Sequence, residues 1–387
     1  MKSQIDNEVV KLSEERQKLY EKYVENLKNK NKNKIKTLKF GLFSFSAEGI
    51  KSKQESYDLL FESAKYADQN GFTSIWTPER HFDKFGGLYP NPAVIAASIA
   101  AITENINIRT GSTVLPIHNP LETAESWSMV DNISNGRIGL GVAPGWHPSD
   151  FVYSPSTYVN RREVLFERLE TLEGLWSGNR LQITGVNNTT ENLKIYPEPI
   201  QKELPIWITS SNNVKTWERA GELGKNVLTA LLGQQTIEEL SNNIKAYKSK
   251  LLEYGHDDNK EITVMIHTYL GRSNEVVKTE IRDTFIKYLK VHMEQYRHEL
   301  LGKEIKVDTL GFSDHDEDSL AMFAFERYFN DRTLLGSKEK CLPLLEELRE
   351  IGVTEIASLI DFGMPNNKVL NSLEILNELK QEVNNEF

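Results

Sequence analysis

Eight short apolar runs alternate with helical stretches from Leu38 to the end of the chain, and that alternation leaves few folds open. The runs are Leu38–Phe45, Phe72–Trp76, Ile106–Leu115, Gly136–Ala143, Leu204–Thr209, Lys225–Leu231, Ile262–Leu270 and Val353–Ile360. Helix starts are written between them. Ser52 with Glu55 forms a capping-box signature, and Asn91-Pro92 and Asn119-Pro120 each place a capping residue before a proline at the first helical position. The helix opened by Ser52 carries Tyr57, Leu60, Phe61, Ala64 and Ala67 at core spacing, and the one expected from Tyr158 to Trp176 carries Val164, Leu165, Leu169, Leu172 and Leu175. Asn91-Pro92 opens a helix expected to reach Glu104, and Ile237 to Tyr254 forms another. Eight strands in this rhythm predict an α/β protein, a closed (β/α)8 TIM barrel.

Three segments depart from the rhythm. Residues 1–37 form an N-terminal helical extension and linker, with Leu12, Leu19, Tyr20, Tyr23, Val24 and Leu27 near one helix face. Such a helix packs on the barrel, frays, or docks a partner. Residues 180–203 suggest a hairpin followed by the extended segment Tyr196-Pro-Glu-Pro. A large insertion between strands seven and eight, about 275–335, is expected to pass over the barrel mouth as a lid or substrate platform. Residues 38–387 form the barrel domain. Pro343 is expected to delay the helix before strand eight.

Composition narrows the function classes. The chain has 387 residues, 39% hydrophobic and 26% charged, with a formal charge of -10, which argues against general nucleic-acid binding. No apolar run reaches membrane-spanning length and no signal-peptide pattern opens the chain, so a cytoplasmic protein is expected with no membrane partner. The single cysteine, Cys341, excludes an internal disulfide and a cysteine-built metal site.

Polar groups at the C-terminal ends of barrel strands form active sites. After strand two come Glu79, Arg80 and His81, a trio able to bind an anion, move a proton or ligate a metal. His118 and His147 could complete a metal site, but no His-x-His or His-Glu-x-x-His spacing exists, so no metal is expected. A two-carboxylate hydrolase would have only Glu48 as its second acid. Thr209-Ser-Ser-Asn-Asn213 precedes a helix: its hydroxyls and free N–H groups suit a phosphate, or Asn212 or Asn213 simply caps the helix. Gly145 permits close backbone approach beside the flat wall of Trp146. Gly111, inside strand three, marks unusual backbone geometry. Together these give a mouth lined by Trp76, Glu79, Arg80, His81, Trp146 and His147.

Those stretches resemble the bacterial luciferase-like flavin monooxygenase family. The resemblance is carried by Trp76-Thr-Pro-Glu-Arg-His-Phe, Asn91-Pro, Thr110-Gly-Ser-Thr-Val-Leu-Pro-Ile-His-Asn-Pro and Asp131-Asn-Ile-Ser-Asn-Gly-Arg-Ile-Gly-Leu-Gly-Val-Ala-Pro-Gly-Trp. Tyr196-Pro-Glu-Pro-Ile-Gln, Asn226-Val-Leu-Thr-Ala-Leu-Leu-Gly-Gln and Glu355-Ile-Ala-Ser-Leu-Ile-Asp-Phe-Gly look like the subfamily found with nonribosomal-peptide and polyketide assembly lines. The resemblance implies reduced FMN at the barrel mouth, supplied by a separate flavin reductase, and oxygen transfer from O2 to a small or carrier-protein-tethered substrate, in a homodimer. It implies a phosphate held by Ser210 and Ser211 with Arg161 as a second contact, the cofactor chain along Gly145 and Trp146, and the flavin ring on a cis Gly111–Ser112 bond. His81 and Glu79 would handle protons, Arg80 would stabilise bound oxygen or an anionic substrate, and Trp76 and His147 would shield. Two positions depart from the light-emitting members: Arg80 stands for a histidine and Pro144 for a phosphate-binding arginine. A flavin-binding protein without turnover, or hydride transfer with a deazaflavin, are the alternatives.

Overall fold

The computed structural model describes residues 37–45, 51–83, 86–231, 236–302 and 314–384, with the backbone alone for 292–302 and 314–318. The expected extension at 1–36, and Glu48, lie outside the described residues. In chain order the elements are β1 (Lys39–Phe43), α1 (Lys53–Gln69), β2 (Ser74–Thr77), α2 (Pro92–Ala100), β3 (Asn107–Val114), α3 (Pro120–Ser134), β4 (Ile138–Ala143), α4 (Arg161–Trp176), β5 (Leu181–Thr184) and β6 (Thr190–Leu193). They continue as β7 (Ile206–Thr209), α5 (Val214–Glu222), β8 (Asn226–Ala230), α6 (Ile237–Glu253), β9 (Ile262–Leu270), α7 (Asn274–Gly302), α8 (Asp314–Asn330), β10 (Leu334–Gly336), α9 (Lys338–Ile351), β11 (Glu355–Leu359) and α10 (Asn366–Asn384).

Eight parallel strands close on themselves in the order β1, β2, β3, β4, β7, β8, β9, β11. Closure is made by β11 on β1, with Glu355 opposite Lys39, and by β8 on β9, with Ile262 opposite Val227. The strand cores are buried on both faces, as a barrel wrapped in helices requires. The expected caps form: Ser52 and Glu55 bond reciprocally, Asn91 accepts from the Val94 N–H, and Asn119 from the Leu121 N–H. Thr236 and Glu239 add a second capping box at α6.

The barrel's floor is a buried ionic layer. Arg109 on β3 donates to Glu355 on β11 at 2.7 Å, and its guanidinium lies over the rings of Trp207 at 4.1 Å and Trp76 at 5.2 Å. Ser74 and Thr263 also donate to Glu355, at 2.5 and 2.8 Å. Strands on opposite sides of the barrel are thereby joined by charge-assisted bonds.

Several expectations are corrected. Helix α2 ends at Ala100 rather than Glu104, because Arg137 offers its guanidinium to the carbonyls of Ala100, Thr103 and Ile106 and so satisfies the chain without further turns. Helix α4 begins at Arg161, not Tyr158. Pro343 does not delay α9; it lies inside a helix that starts at Lys338. The carbonyl it deprives of a partner belongs to exposed Glu339, while Leu342, Leu344, Leu345 and Leu348 bury their side chains, so packing outweighs one lost bond. The hairpin expected within 180–203 is present as antiparallel β5 and β6. The insertion supplies α7 and α8, and also a strand the sequence pattern does not announce: β10, three residues long, extends the C-terminal end of β9. Phe285 and Tyr288 of α7 and Tyr328 of α8 pack around His267 near that strand end, so the insertion sits on the mouth side of the barrel.

Candidate active site

Glu79 is the centre of the site. It follows β2, is buried, and its Oε1 accepts from His81 Nε2 at 2.8 Å and from His118 Nε2 at 2.5 Å. Its Oε2 accepts the Val114 N–H at 2.6 Å, which ties the ends of β2 and β3 together. Burial alone would raise the Glu79 carboxyl; the bonds from His118 and His81, the His118 charge and the Val114 N–H outweigh it and hold the group at about 2. His118 is likewise opposed by burial, yet the bond and charge of Glu79 raise it above its ordinary value. Among the described residues this trio is compact enough to suggest a metal ion. Ligands about 2.1 Å from one ion sit roughly 3 Å or more apart. The observed 2.5 and 2.8 Å are hydrogen bonds between the groups themselves.

Arg80 points elsewhere. Its guanidinium is buried and donates to Asp150 and Asp83, each at 3.0 Å, and lies 5.1 Å from the ring centre of Trp146. It therefore clamps the loop after β2 to the short helical turns after β4. Burial raises the Asp150 carboxyl although Arg80 works against the rise. Around His81 stand Tyr153, at 5.0 Å between ring centres, and Phe82, at 5.8 Å. Phe82 and Tyr153 are exposed, and Phe82 adopts a positive φ of 53°, a costly conformation for a bulky residue. Trp146, 40% exposed, adds a third ring, with His147 edge-on against it at 5.3 Å.

The next strand ends hold the other candidates. The Gly111–Ser112 peptide is cis. A Cβ at Gly111 would lie 2.5 Å from the Phe43 ring, so only glycine fits between that ring and the mouth. The Ser112 hydroxyl bonds that of Thr209 at the end of β7. Gly145, with φ +74°, gives its carbonyl to Arg161 Nε at 3.1 Å; Arg161 also donates to the Tyr158 carbonyl at 2.8 Å. Ser210 is buried and its N–H is used by the Leu228 carbonyl; Ser211 is exposed ahead of α5, where Asn213 is the cap.

Two placements differ from the expected ones. Trp76 is fully buried rather than lining the rim, because its indole N–H donates to Ser74 Oγ at 2.7 Å and draws the ring down beside Phe43 and Trp207. It is a floor residue. Arg80, expected to face the reaction, is committed to two carboxylates. Sequence reasoning missed His118 as Glu79's partner, Asp150 as Arg80's, and the walls formed by Phe82 and Tyr153. His118 stands inside the Thr110–Pro120 motif, which could have signalled it; nothing in the spacing marks Asp150 or Tyr153.

Comparison with known proteins agrees with this geometry. The family model for luciferase-like monooxygenases matches residues 38–355. The chain is 25% identical over 336 residues to the oxygenase component of the flavin-dependent trigonelline monooxygenase of Acinetobacter baylyi, covering 85% of this chain and 90% of that one. It is 25% identical over 341 residues to the alkanal monooxygenase alpha chain of Aliivibrio fischeri, covering 83% and 91%. The FMN complex of the oxygenating constituent of 3,6-diketocamphane monooxygenase of Pseudomonas putida, a type II Baeyer–Villiger enzyme, superposes with a TM-score of 0.72 at 18% identity, over 91% and 99% of the chains. The barrel and its mouth thus define a flavin-type monooxygenase. This chain belongs to the luciferase-like monooxygenase family.

Proposed function

We propose that the protein is the oxygenase of a two-component system that binds reduced FMN at the barrel mouth and uses O2 to oxygenate an organic substrate. The observation that carries this reading is positional. Four strands adjacent in the sheet carry the candidates: β2, β4 and β7 lead into Glu79–His81, Gly145–Trp146 and Thr209–Ser211, and β3 holds Gly111–Ser112 within its second half. The residues fit the cofactor: hydroxyls ahead of the nine-residue α5 suit a phosphate, and Gly111, backed by the Phe43 ring and without a side chain, leaves a shelf for a ring. When bound, reduced FMN supplies the electrons that activate oxygen; the protein supplies everything else.

Ser210 and Ser211 hold the phosphate, and Arg161 acts by fixing the Gly145 carbonyl beside it. His81 faces the reacting groups and holds or moves a proton, with Glu79 fixing its orientation. Trp146, Phe82, Tyr153 and the α7–α8 insertion exclude water, with His147 behind Trp146. Arg80 positions these walls. Flavin comes from a separate NAD(P)H-dependent reductase. The substrate is a small or carrier-protein-tethered acyl or aminoacyl group of natural-product biosynthesis, a choice that rests on the subfamily motifs alone. The neighbouring helices α2 and α3 expose Val94, Met129 and Ile133, an apolar face that suits a homodimer.

The test is an anaerobic titration with reduced FMN, FAD, riboflavin and a deazaflavin. Reduced FMN should bind at one site per chain, and S210A/S211A should weaken it about tenfold, the loss of one charge-assisted bond. Preference for the deazaflavin would move hydride transfer to the front, and equal binding by the double variant would remove the phosphate site.

A further inference from the structure

The mouth has to exclude water, yet oxygen transfer from reduced flavin consumes and releases protons. Glu79 joins His81 to a second imidazole, His118, that is partly exposed. His118 carries Glu79's bond to a separate opening: it lines a small cleft of about 50 Å³ between the starts of α2 and α3, with Asn91, Pro92, Thr113, Glu122 and Trp127. Its side chain is 32% exposed there, against 5% for His81 and none for Glu79. Both imidazoles meet the same carboxylate oxygen, at 2.8 and 2.5 Å, so the three groups form one unbroken line from Tyr153 and Phe82 at the mouth to the outer cleft.

We propose that Glu79 and His118 form a proton relay that connects His81 to the α2–α3 cleft, so that His81 is recharged without water crossing the mouth. His118 uses Nε2 on Glu79, so exchange with cleft water falls to Nδ1. A proton taken up at Nδ1 releases the one on Nε2 to the carboxylate, which hands it to His81 Nε2 when that ring stands in its Nδ1–H tautomer, with Nε2 accepting rather than donating; His81 then gives up its Nδ1 proton at the mouth. One proton enters and one leaves, ending with His118 protonated on Nδ1 and His81 on Nε2; the line is reset by the reverse transfer, in which His81 Nδ1 takes up a proton released at the mouth and the one on Nε2 returns through Glu79 to His118. A carboxyl held at about 2 does not store the proton, so it passes through Glu79 rather than residing there. The charges facing His118 are Glu79 and Glu122, which favour its protonated form, and Arg168, which opposes it; Asp150 and Arg80 are the charges beside His81. Burial lowers the His118 imidazole, but the bond and charge of Glu79 raise it above its ordinary value and so favour the protonated form that an entry point for protons needs. The role at the mouth rests on the monooxygenase reading; the connection itself does not.

The first readout therefore needs no cofactor. In histidine-labelled protein, nitrogen NMR should show the ring proton of His81 exchanging with water at a rate that follows that of His118 as pH changes. His118→Gln keeps a donor to Glu79 but cannot relay, and should slow His81 exchange about tenfold or more while reduced-FMN affinity stays as in wild type. In the loaded enzyme the same variant should flatten the rise of turnover around the His118 titration, and imidazole added to His118→Gly should restore it through the cleft. Independent exchange of the two rings in wild type would overturn the relay, as would an unchanged His81 rate in His118→Gln; the first of these needs no variant to fold. Failure to bind FMN would sink the monooxygenase reading and leave the exchange result standing.

Discussion

Glu79 shows how much one buried carboxylate can be asked to hold. Replacing it by glutamine keeps the shape but removes the charge that two histidines share, and such losses cost roughly 3 kcal/mol. Its pH signature has a definite sign. A carboxyl at about 2 in the folded protein, against 4.5 unfolded, contributes stability that is complete above 4.5 and is lost as pH falls through 2. His118, raised, works the other way: its contribution is complete below 6.5 and is lost as pH rises past its folded value. Melting curves of wild type should therefore fall on acidification between 4.5 and 2, and those of Glu79→Gln should fall less steeply, the remainder coming from other depressed carboxyls such as Asp68 and Glu280. Arg109 makes a parallel case on the barrel floor. Arg109→Met leaves Glu355 buried without its cation and should cost roughly 3–5 kcal/mol in chemical denaturation. Adding Glu355→Gln should recover a good part of it, and strict additivity of the two changes would show that the pair is not coupled.

At the scale of elements, the third strand is the most demanding. Gly111→Ala puts a methyl into the Phe43 ring, 2.5 Å away. Overpacking of this kind costs about 1–3 kcal/mol and should tilt the shelf, lowering FMN affinity about tenfold. Phe43→Leu in the same background should restore part of the affinity. In α9, Pro343→Ala adds back an N–H for the Glu339 carbonyl and should stabilise the protein by about 1–3 kcal/mol, visible as a raised Tm. The strands and capped helix starts were legible because each rests on local chemistry: apolar runs, a capping box, asparagine before proline. The bounds of β9 are legible to the residue, since Ile262–Leu270 is apolar throughout save for its threonines and His267. What was not legible depends on distant partners. β10 exists because the end of β9 offers an unpaired edge, α2 stops where Arg137 reaches it, and Trp76 turns to the floor because Ser74 takes its N–H. In the site, Glu79, His81 and the glycines could be found from their places after strands. Arg80's commitment to Asp150, 70 positions away, could not.

On the scale of the whole molecule, the barrel divides its labour between ends. The N-terminal end is closed by ionic and aromatic packing around Arg109, and the C-terminal end carries the candidate site, which is where this fold keeps its chemistry. Among the described residues, Phe285 and Tyr288 of α7 and Tyr328 of α8 pack on His267 at that second end. If the apolar face on α2 and α3 joins two copies, light scattering should give twice the 44.3 kDa chain mass, and Met129→Glu with Ile133→Glu should give the single mass. A single mass in wild type would remove the dimer. The central claim, that the mouth is a water-excluding site for oxygen activation by reduced FMN, is tested most directly by one rapid-mixing measurement. Protein loaded anaerobically with reduced FMN is mixed with oxygenated buffer, and the return of the oxidised-flavin absorbance is timed together with the release of hydrogen peroxide. The account predicts that both are slower than for free reduced FMN, and faster again in Trp146→Ala. Reoxidation and peroxide release at the free rate, unchanged in Trp146→Ala, would contradict it.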